Sequence, residues 1–195
     1  MVKKEHILKE SDGYIKKIYH FIFYDDSALS WIVNIILAFL LVKFIIYPGL
    51  ALLLGSSLPL VAVISGSMEH EGLNFDNWWE ANGAWYEEQG ITKEMFEEYR
   101  FKNGFDKGDV IVLVGAEKIV QGDVVVYASA SHAYPIIHRV ANFNEDSYII
   151  KGDNNDESDP YAVADEQLIG KALYRVVKIG WIKIWFAQLL SLIGF

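Results

Sequence analysis

The chain of 195 residues contains no cysteine, so disulfides, thiol catalysis and zinc sites built on thiolates are excluded, while the redox state of its compartment stays open. Basic residues are scarce as well. Seventeen Lys and Arg stand against 26 Asp and Glu, a formal net charge of -9, and there is no basic stripe beyond the first residues. Phosphate binding needs such a surface, so no nucleic-acid partner is expected. A third absence is local: residues 29–54 hold no acidic side chain and only one base, Lys43. The apolar fraction of 52% is concentrated there, and about 20 apolar helical residues already cross the hydrocarbon core of a bilayer. The segment reads as a transmembrane helix. It is too long and starts too late for a cleavable signal peptide, and it lacks a small-residue cleavage site, so it reads as a permanent anchor.

Charge around this helix sets an orientation. Lys3, Lys4, Lys9, Lys16 and Lys17 precede it, with Tyr14, Tyr19, Phe21, Phe23 and Tyr24 nearer the bilayer. The positive-inside rule then makes residues 1–28 a cytoplasmic tail, 29–54 the anchor and 55–180 an extracytoplasmic domain. Residues 181–195 form a second apolar stretch that carries Trp181, Trp185 and Phe186, with Lys178 and Lys183 nearby. It suits a segment lying at the interface or against the first helix, and a second, tilted crossing remains the alternative. Lys43 is costly at mid-membrane depth, but its stem can extend to the interface if Pro48-Gly49 marks the end of the helix.

The domain between these apolar ends reads as antiparallel β. Lys107-Gly108-Asp109-Val110-Ile111-Val112-Leu113 and Gln121-Gly122-Asp123-Val124-Val125-Val126-Tyr127 each place a Gly-Asp turn before a β-branched run. Further strands are expected at 58–64, 136–143, 147–151 and 170–177. The regular long helices that parallel βαβ units require are missing. Residues 69–104 interrupt this pattern with nine acidic side chains and many aromatics, among them Trp78, Trp79, Trp85, Tyr86 and Phe96. Two short helices are expected here, one over 77–88 broken near Asn82-Gly83 and one from an N-cap at Thr92 through Arg100. The insertion reads as a small acidic subdomain with its own aromatic core, and also suits a flap that meets a substrate, a partner or the membrane.

Chemistry enters at Ile64-Ser65-Gly66-Ser67-Met68-Glu69, where a glycine lets the chain bend after an apolar strand and present the hydroxyl of Ser67. A free serine is a poor nucleophile and needs a base. Lys43 could be one if desolvation lowered its pKa, but it lies 24 residues earlier inside the membrane segment. Among the five histidines, His138 stands out because the alternating run Ile136-Ile137-His138-Arg139-Val140 would fix its backbone. A polar loop follows, Lys151-Gly152-Asp153-Asn154-Asn155-Asp156-Glu157-Ser158-Asp159, which taken alone reads as an Asn/Asp turn satisfying its own backbone.

Together these three ordered motifs resemble the type I signal peptidases, in the archaeal and endoplasmic-reticulum branch that carries a histidine where bacterial enzymes carry a lysine. The resemblance runs from the membrane segment to the end of the chain. It implies a mainly β fold, a signal-peptidase-like antiparallel domain on an N-terminal transmembrane helix with a small helical insertion. It also implies a membrane-bound serine endopeptidase that needs no cofactor or metal and removes N-terminal signal peptides from exported preproteins, in the cell membrane or, in a eukaryote, the endoplasmic-reticulum membrane. Partners would be the preproteins, the lipid bilayer and the protein-translocation machinery. By the family pattern Ser67 is the nucleophile, His138 the general base and Asp159 its orienting carboxylate. Asp153 is then a supporting residue that holds the loop through backbone N–H groups, and Ser65 adds a hydroxyl for the oxyanion. Val61, Ala62, Val63 and Ile64 would bind substrate as a strand, with their apolar side chains lining pockets for small residues. Many relatives have proline where this chain has His70, for which no role follows. Two other readings stay open: a non-catalytic membrane-tethered binding module of the same fold, and a self-cleaving regulator, which the anchor and the histidine disfavour.

Overall fold

The structure, a computed structural model, describes residues 13–192, so Lys3, Lys4, Lys9 and the last residues of the 181–195 stretch lie outside the described residues. The chain divides into two compact units, Met1–Leu50 and Ala51–Phe195.

In the first unit, helix α1 (Tyr14–Phe23) is followed by α2 (Ala28–Leu41). Ser27 caps α2 by accepting a hydrogen bond from Ser30 N at 3.2 Å. The two polar side chains early in this apolar helix turn back onto α1. Ser30 Oγ donates to Phe21 O at 2.6 Å and Asn34 Nδ2 to Ile22 O at 2.9 Å, satisfying carbonyls that the end of α1 leaves unpaired. The helix does not stop at Pro48-Gly49, the earlier end considered in placing Lys43, but runs to Leu54, where the expected anchor ends. It passes through a π-helical turn (Val42–Ile46) into α3 (Tyr47–Leu54), and Tyr47 N reaches Val42 O. Proline lacks an N–H and crowds the carbonyl one turn back, and a widened turn just before it removes that conflict without ending the helix. Lys43 lies in this turn, its ammonium 5.4 Å from the Phe44 ring centroid and 5.7 Å from that of Phe39. Ala28–Leu54 is thus one apolar helix of 27 residues, long enough to cross a bilayer.

The second unit is built on a seven-stranded, wholly antiparallel sheet: β1 (Leu60–Ala62), β2 (Val110–Val114), β3 (Val124–Tyr127), β4 (Ile136–Asn144), β5 (Ser147–Lys151), β6 (Val163–Ala164) and β7 (Leu168–Val176). Their spatial order is β1-β2-β7-β3-β4-β5-β6. β3 is central and apolar on both sides. Val124 and Val126 join one core with Val63, Met68, Phe105, Ile111, Leu113, Ile137 and Ala172, while Val125 and Tyr127 join another with Val140, Ile150 and Val163. Bulges at Val112/Leu113, Val126/Tyr127 and Val140/Asn142 bend the strands, so the curled sheet buries parts of both faces. The two-residue β6 is too short to have shown in the sequence, and β1 covers only the middle of the expected 58–64.

Both Gly-Asp pairs build the same turn. Gly108 and Gly122 have φ of 91° and 89°, a left-handed shape that favours glycine. Each following aspartate reaches back three residues, Asp109 Oδ2 accepting from Asp106 N and Asp123 Oδ2 from Val120 N, both at 2.9 Å. The interrupting segment forms α4 (Phe75–Glu88) and α5 (Lys93–Glu98). α4 is not broken at Asn82-Gly83. Asn82 Nδ2 bonds Trp78 O at 3.0 Å, and Gly83 lies so close under Trp79 that a Cβ would stand 2.5 Å from the indole Cε2, so here glycine serves packing. Thr92 does cap α5, accepting from Met95 N at 3.3 Å, but α5 ends at Glu98, short of Arg100. Phe75, Trp78, Trp79, Tyr86, Ile91 and Phe96 form an aromatic core closed by Ala141 of β4. The last helix, α6 (Trp181–Leu192), is seated by Trp181 against Gly108, where a Cβ would approach the indole Cδ1 to 2.2 Å.

Candidate active site

A cleft of about 450 Å³ opens beside β1, lined by Val61, Ala62, Ile64, Ser65 and Ser67 on one side and by residues 132–138, Asn155 and Asp159 on the other. Ser67 lies in a turn closed by Glu69 N bonding Gly66 O at 3.0 Å. The expectation that Gly66 is needed for its backbone freedom is corrected: its φ is not among the positive ones, and Glu69 Oε2 would stand 3.1 Å from a Cβ there. Ser67 Oγ is 3.2 Å from Ser65 Oγ.

β4 carries the other half. Strand alternation sends His138 and Arg139 to opposite faces, and the 152–159 loop supplies an aspartate to each. His138 Nδ1 lies 2.9 and 2.8 Å from the two carboxylate oxygens of Asp159, so that nitrogen carries the proton and donates it. Tyr127 OH donates to Asp159 Oδ2 at 2.5 Å. Burial and this bond raise the tyrosine pKa well above its ordinary value, which keeps it a donor. On the other face Arg139, fully buried, clasps Asp153 through Nε at 2.9 Å and Nη2 at 2.7 Å. Burial alone would raise the Asp153 pKa, but the Arg139 charge and hydrogen bonds hold it well below the carboxylate range.

The loop is bound to the serine turn through its backbone: Asn154 N donates to Ser67 O at 2.8 Å and Asn154 Nδ2 to Gly66 O at 3.2 Å. Gly152 makes this approach possible. A Cβ there would stand 2.7 Å from Ser67 O and 2.8 Å from His138 Nε2, so any side chain would force the serine turn and the imidazole apart.

Ser65, Ser67, His138 and Asp159 therefore face one cleft, with Val61, Ala62 and Ile64. Two expectations are corrected. Val63 does not line it: it is buried in the main core, its N and O bonded to Asp109 O and Gly108 N. Asp153 does not hold the loop through backbone N–H groups, because its carboxylate takes side-chain donors instead. The sequence reading also passed over Tyr127, Arg139 and Asn154. A charged residue inside the apolar run of β4 was the one available signal, since a buried arginine requires a buried acid.

A serine, a histidine and a carboxylate thus converge in one cleft on a curled antiparallel sheet. Similarity to known proteins bears on what such a cleft does. The chain is 28% identical over 174 residues to the signal peptidase complex catalytic subunit SEC11 of Plasmodium falciparum, covering 83% of this chain and 76% of that one. To the SEC11 subunit of Zygosaccharomyces rouxii it is 27% identical over 78% of this chain and 82% of the relative, and to that of Komagataella phaffii 28% over 74% and 76%. No family model matches the chain. The similarities to these subunits agree with the resemblance that its three motifs carry.

Proposed function

We propose that this chain is a membrane-anchored serine endopeptidase that removes N-terminal signal peptides from preproteins. The observation that carries the reading is the Asp159–His138 pair: a carboxylate on Nδ1 fixes the tautomer in which Nε2 is the free acceptor, on the side where Gly152 lets the imidazole approach the Ser67 backbone. His138 Nε2 takes the proton of Ser67 as Oγ attacks the scissile carbonyl, and then gives it to the leaving amine. The Ser67 hydroxyl exchanges its contact with Ser65 for one with His138 at that step. The backbone N–H of Ser67 and the hydroxyl of Ser65 receive the developing oxyanion. Asp159 stabilises the imidazolium, with Tyr127 holding the carboxylate in place.

β1 supports an extended substrate. It is an edge strand, and Val63 turns its N–H and C=O toward the β2 side. By the two-residue period Ala62 and Ile64 turn theirs outward, where a peptide can add as a strand. The names of the relatives describe a subunit of a complex, so we expect this chain to work beside other membrane proteins, with the bilayer holding it near emerging preproteins. The test is incubation of the detergent-solubilised protein with a preprotein, followed by N-terminal sequencing of the product. One cut after small residues is expected, with Ser67→Ala inactive yet folded. Processing by Ser67→Ala would end the serine reading, and no cut by the unaltered protein would favour a binding module.

A further inference from the structure

Residues 69–104 have no part in the chemistry proposed above, yet they reach the loop that carries Asp159. Tyr86, from α4, is fully buried and donates its hydroxyl to Asp153 Oδ1 at 2.9 Å. His70, buried three residues after Ser67, places Nε2 3.3 Å from Asp153 Oδ2, and its ring stacks on Trp78 of α4 at 3.9 Å between centroids and 4° between planes. The ammonium of Lys151 lies 4.8 Å from the Tyr86 ring centroid and 5.4 Å from that of Trp85, and donates to Gly152 O at 3.1 Å. Each oxygen of Asp153 thus receives one donor from Arg139 and faces one group from the inserted segment.

What Asp153 holds gives these contacts their meaning. The next residue, Asn154, bonds the carbonyl of Ser67, and Asp153 N lies 3.4 Å from Met68 Sδ. Asp159 N closes the far end of the loop on Ile150 O at 2.8 Å. A shift of Asp153 would therefore be passed through the adjoining Asn154 to the nucleophile on one side, and along the loop toward the orienting carboxylate on the other. Misplacement by about 1 Å costs on the order of 10²-fold in rate.

We propose that the insertion is a built-in brace for the catalytic loop, with Tyr86 and His70 as positioning residues that act through Asp153. The inference rests on the serine-peptidase reading above. It gives the insertion a structural link to the catalytic loop, made by Tyr86 and His70 and not by the rest of the aromatic core, rather than the role of a flap that closes over substrate.

The test measures kcat and KM on a preprotein, and melting temperature, for five variants of the full-length solubilised protein. Tyr86→Phe and His70→Leu should lower kcat about 10- to 100-fold and leave KM within about twofold, because positioning acts on the transition state and not on substrate binding. His70→Gln, which keeps an N–H donor near the same place, should recover most of the loss. Ile91→Val trims the same aromatic core without touching Asp153, and should lower the melting temperature but not kcat. If Tyr86→Phe and His70→Leu are folded with kcat within about twofold of the unaltered protein while Ser67→Ala is inactive, the brace is overturned and the peptidase reading stands. A loss carried by KM alone would also overturn it, in favour of a substrate-contacting flap. An active Ser67→Ala would overturn the reading on which both depend.

Discussion

Two aspartates six residues apart in one loop carry opposite expectations. Asp159 is partly open to the cleft and meets His138 and Tyr127, so Asp159→Asn removes a charge without leaving a buried cation behind. It should leave the melting temperature nearly unchanged and lower turnover by on the order of 10⁴. Asp153→Asn should do the reverse in stability, since it strips the charge from a carboxylate on which a fully buried Arg139 depends, at a cost of about 3–5 kcal/mol. Thermal unfolding and preprotein turnover of the two variants check both. Lys151 adds a pH signature. Burial lowers its pKa to about 8 from an ordinary 10.5, so between these values the unfolded chain binds more protons than the folded one and stability rises with pH. Lys151→Met should flatten that rise between pH 8 and about 9.5, before tyrosines titrate in the unfolded chain, as followed by denaturant midpoints. An unchanged slope would place the ammonium in solvent.

Elements were legible where one physical signal dominated. The β-branched runs after Gly108-Asp109 and Gly122-Asp123 fixed β2 and β3, because a left-handed glycine and a back-bonding aspartate leave little else for the chain to do. His138 could be read from the run that holds it, whereas its neighbour Arg139 could not, because nothing local reveals which face a strand residue presents to a loop far along the chain. Tyr127 and Tyr86 were illegible for the same reason: their partners lie 32 and 67 residues away. Helix α4 shows local preference giving way to packing. Asn82-Gly83 reads as a break, yet the helix runs on because Trp79 occupies the space a side chain would need. This reverses the usual effect of an alanine, which gains about 1 kcal/mol over glycine within a helix. Gly83→Ala should instead lower the melting temperature, and a rise would show that Trp79 moves aside readily.

At the scale of the whole chain, the apolar helix stands in the sequence between a lysine-bearing segment and an acidic β domain, the pattern on which the proposed orientation rests. Lys16 and Lys17 precede the 27-residue helix, and the β domain that follows carries most of the acidic residues. Retention of lysines on the cytoplasmic side gives the proposed orientation, with the cleft on the opposite side where preproteins emerge. The apolar residues exposed along the end of β7 and α6, Tyr174, Val177, Ile179, Ile182 and Trp185, suit a surface resting at the membrane interface, which would hold this end of the domain close to the bilayer. In sealed membranes, protease added from the extracytoplasmic side should therefore cut the exposed 129–134 loop while leaving residues 14–24 intact. Adding it from the cytoplasmic side should give the opposite pattern. Cleavage of both segments from one side would rule out a single crossing by Ala28–Leu54, and protection of the 129–134 loop from the extracytoplasmic side would invert the orientation and part the cleft from its substrates.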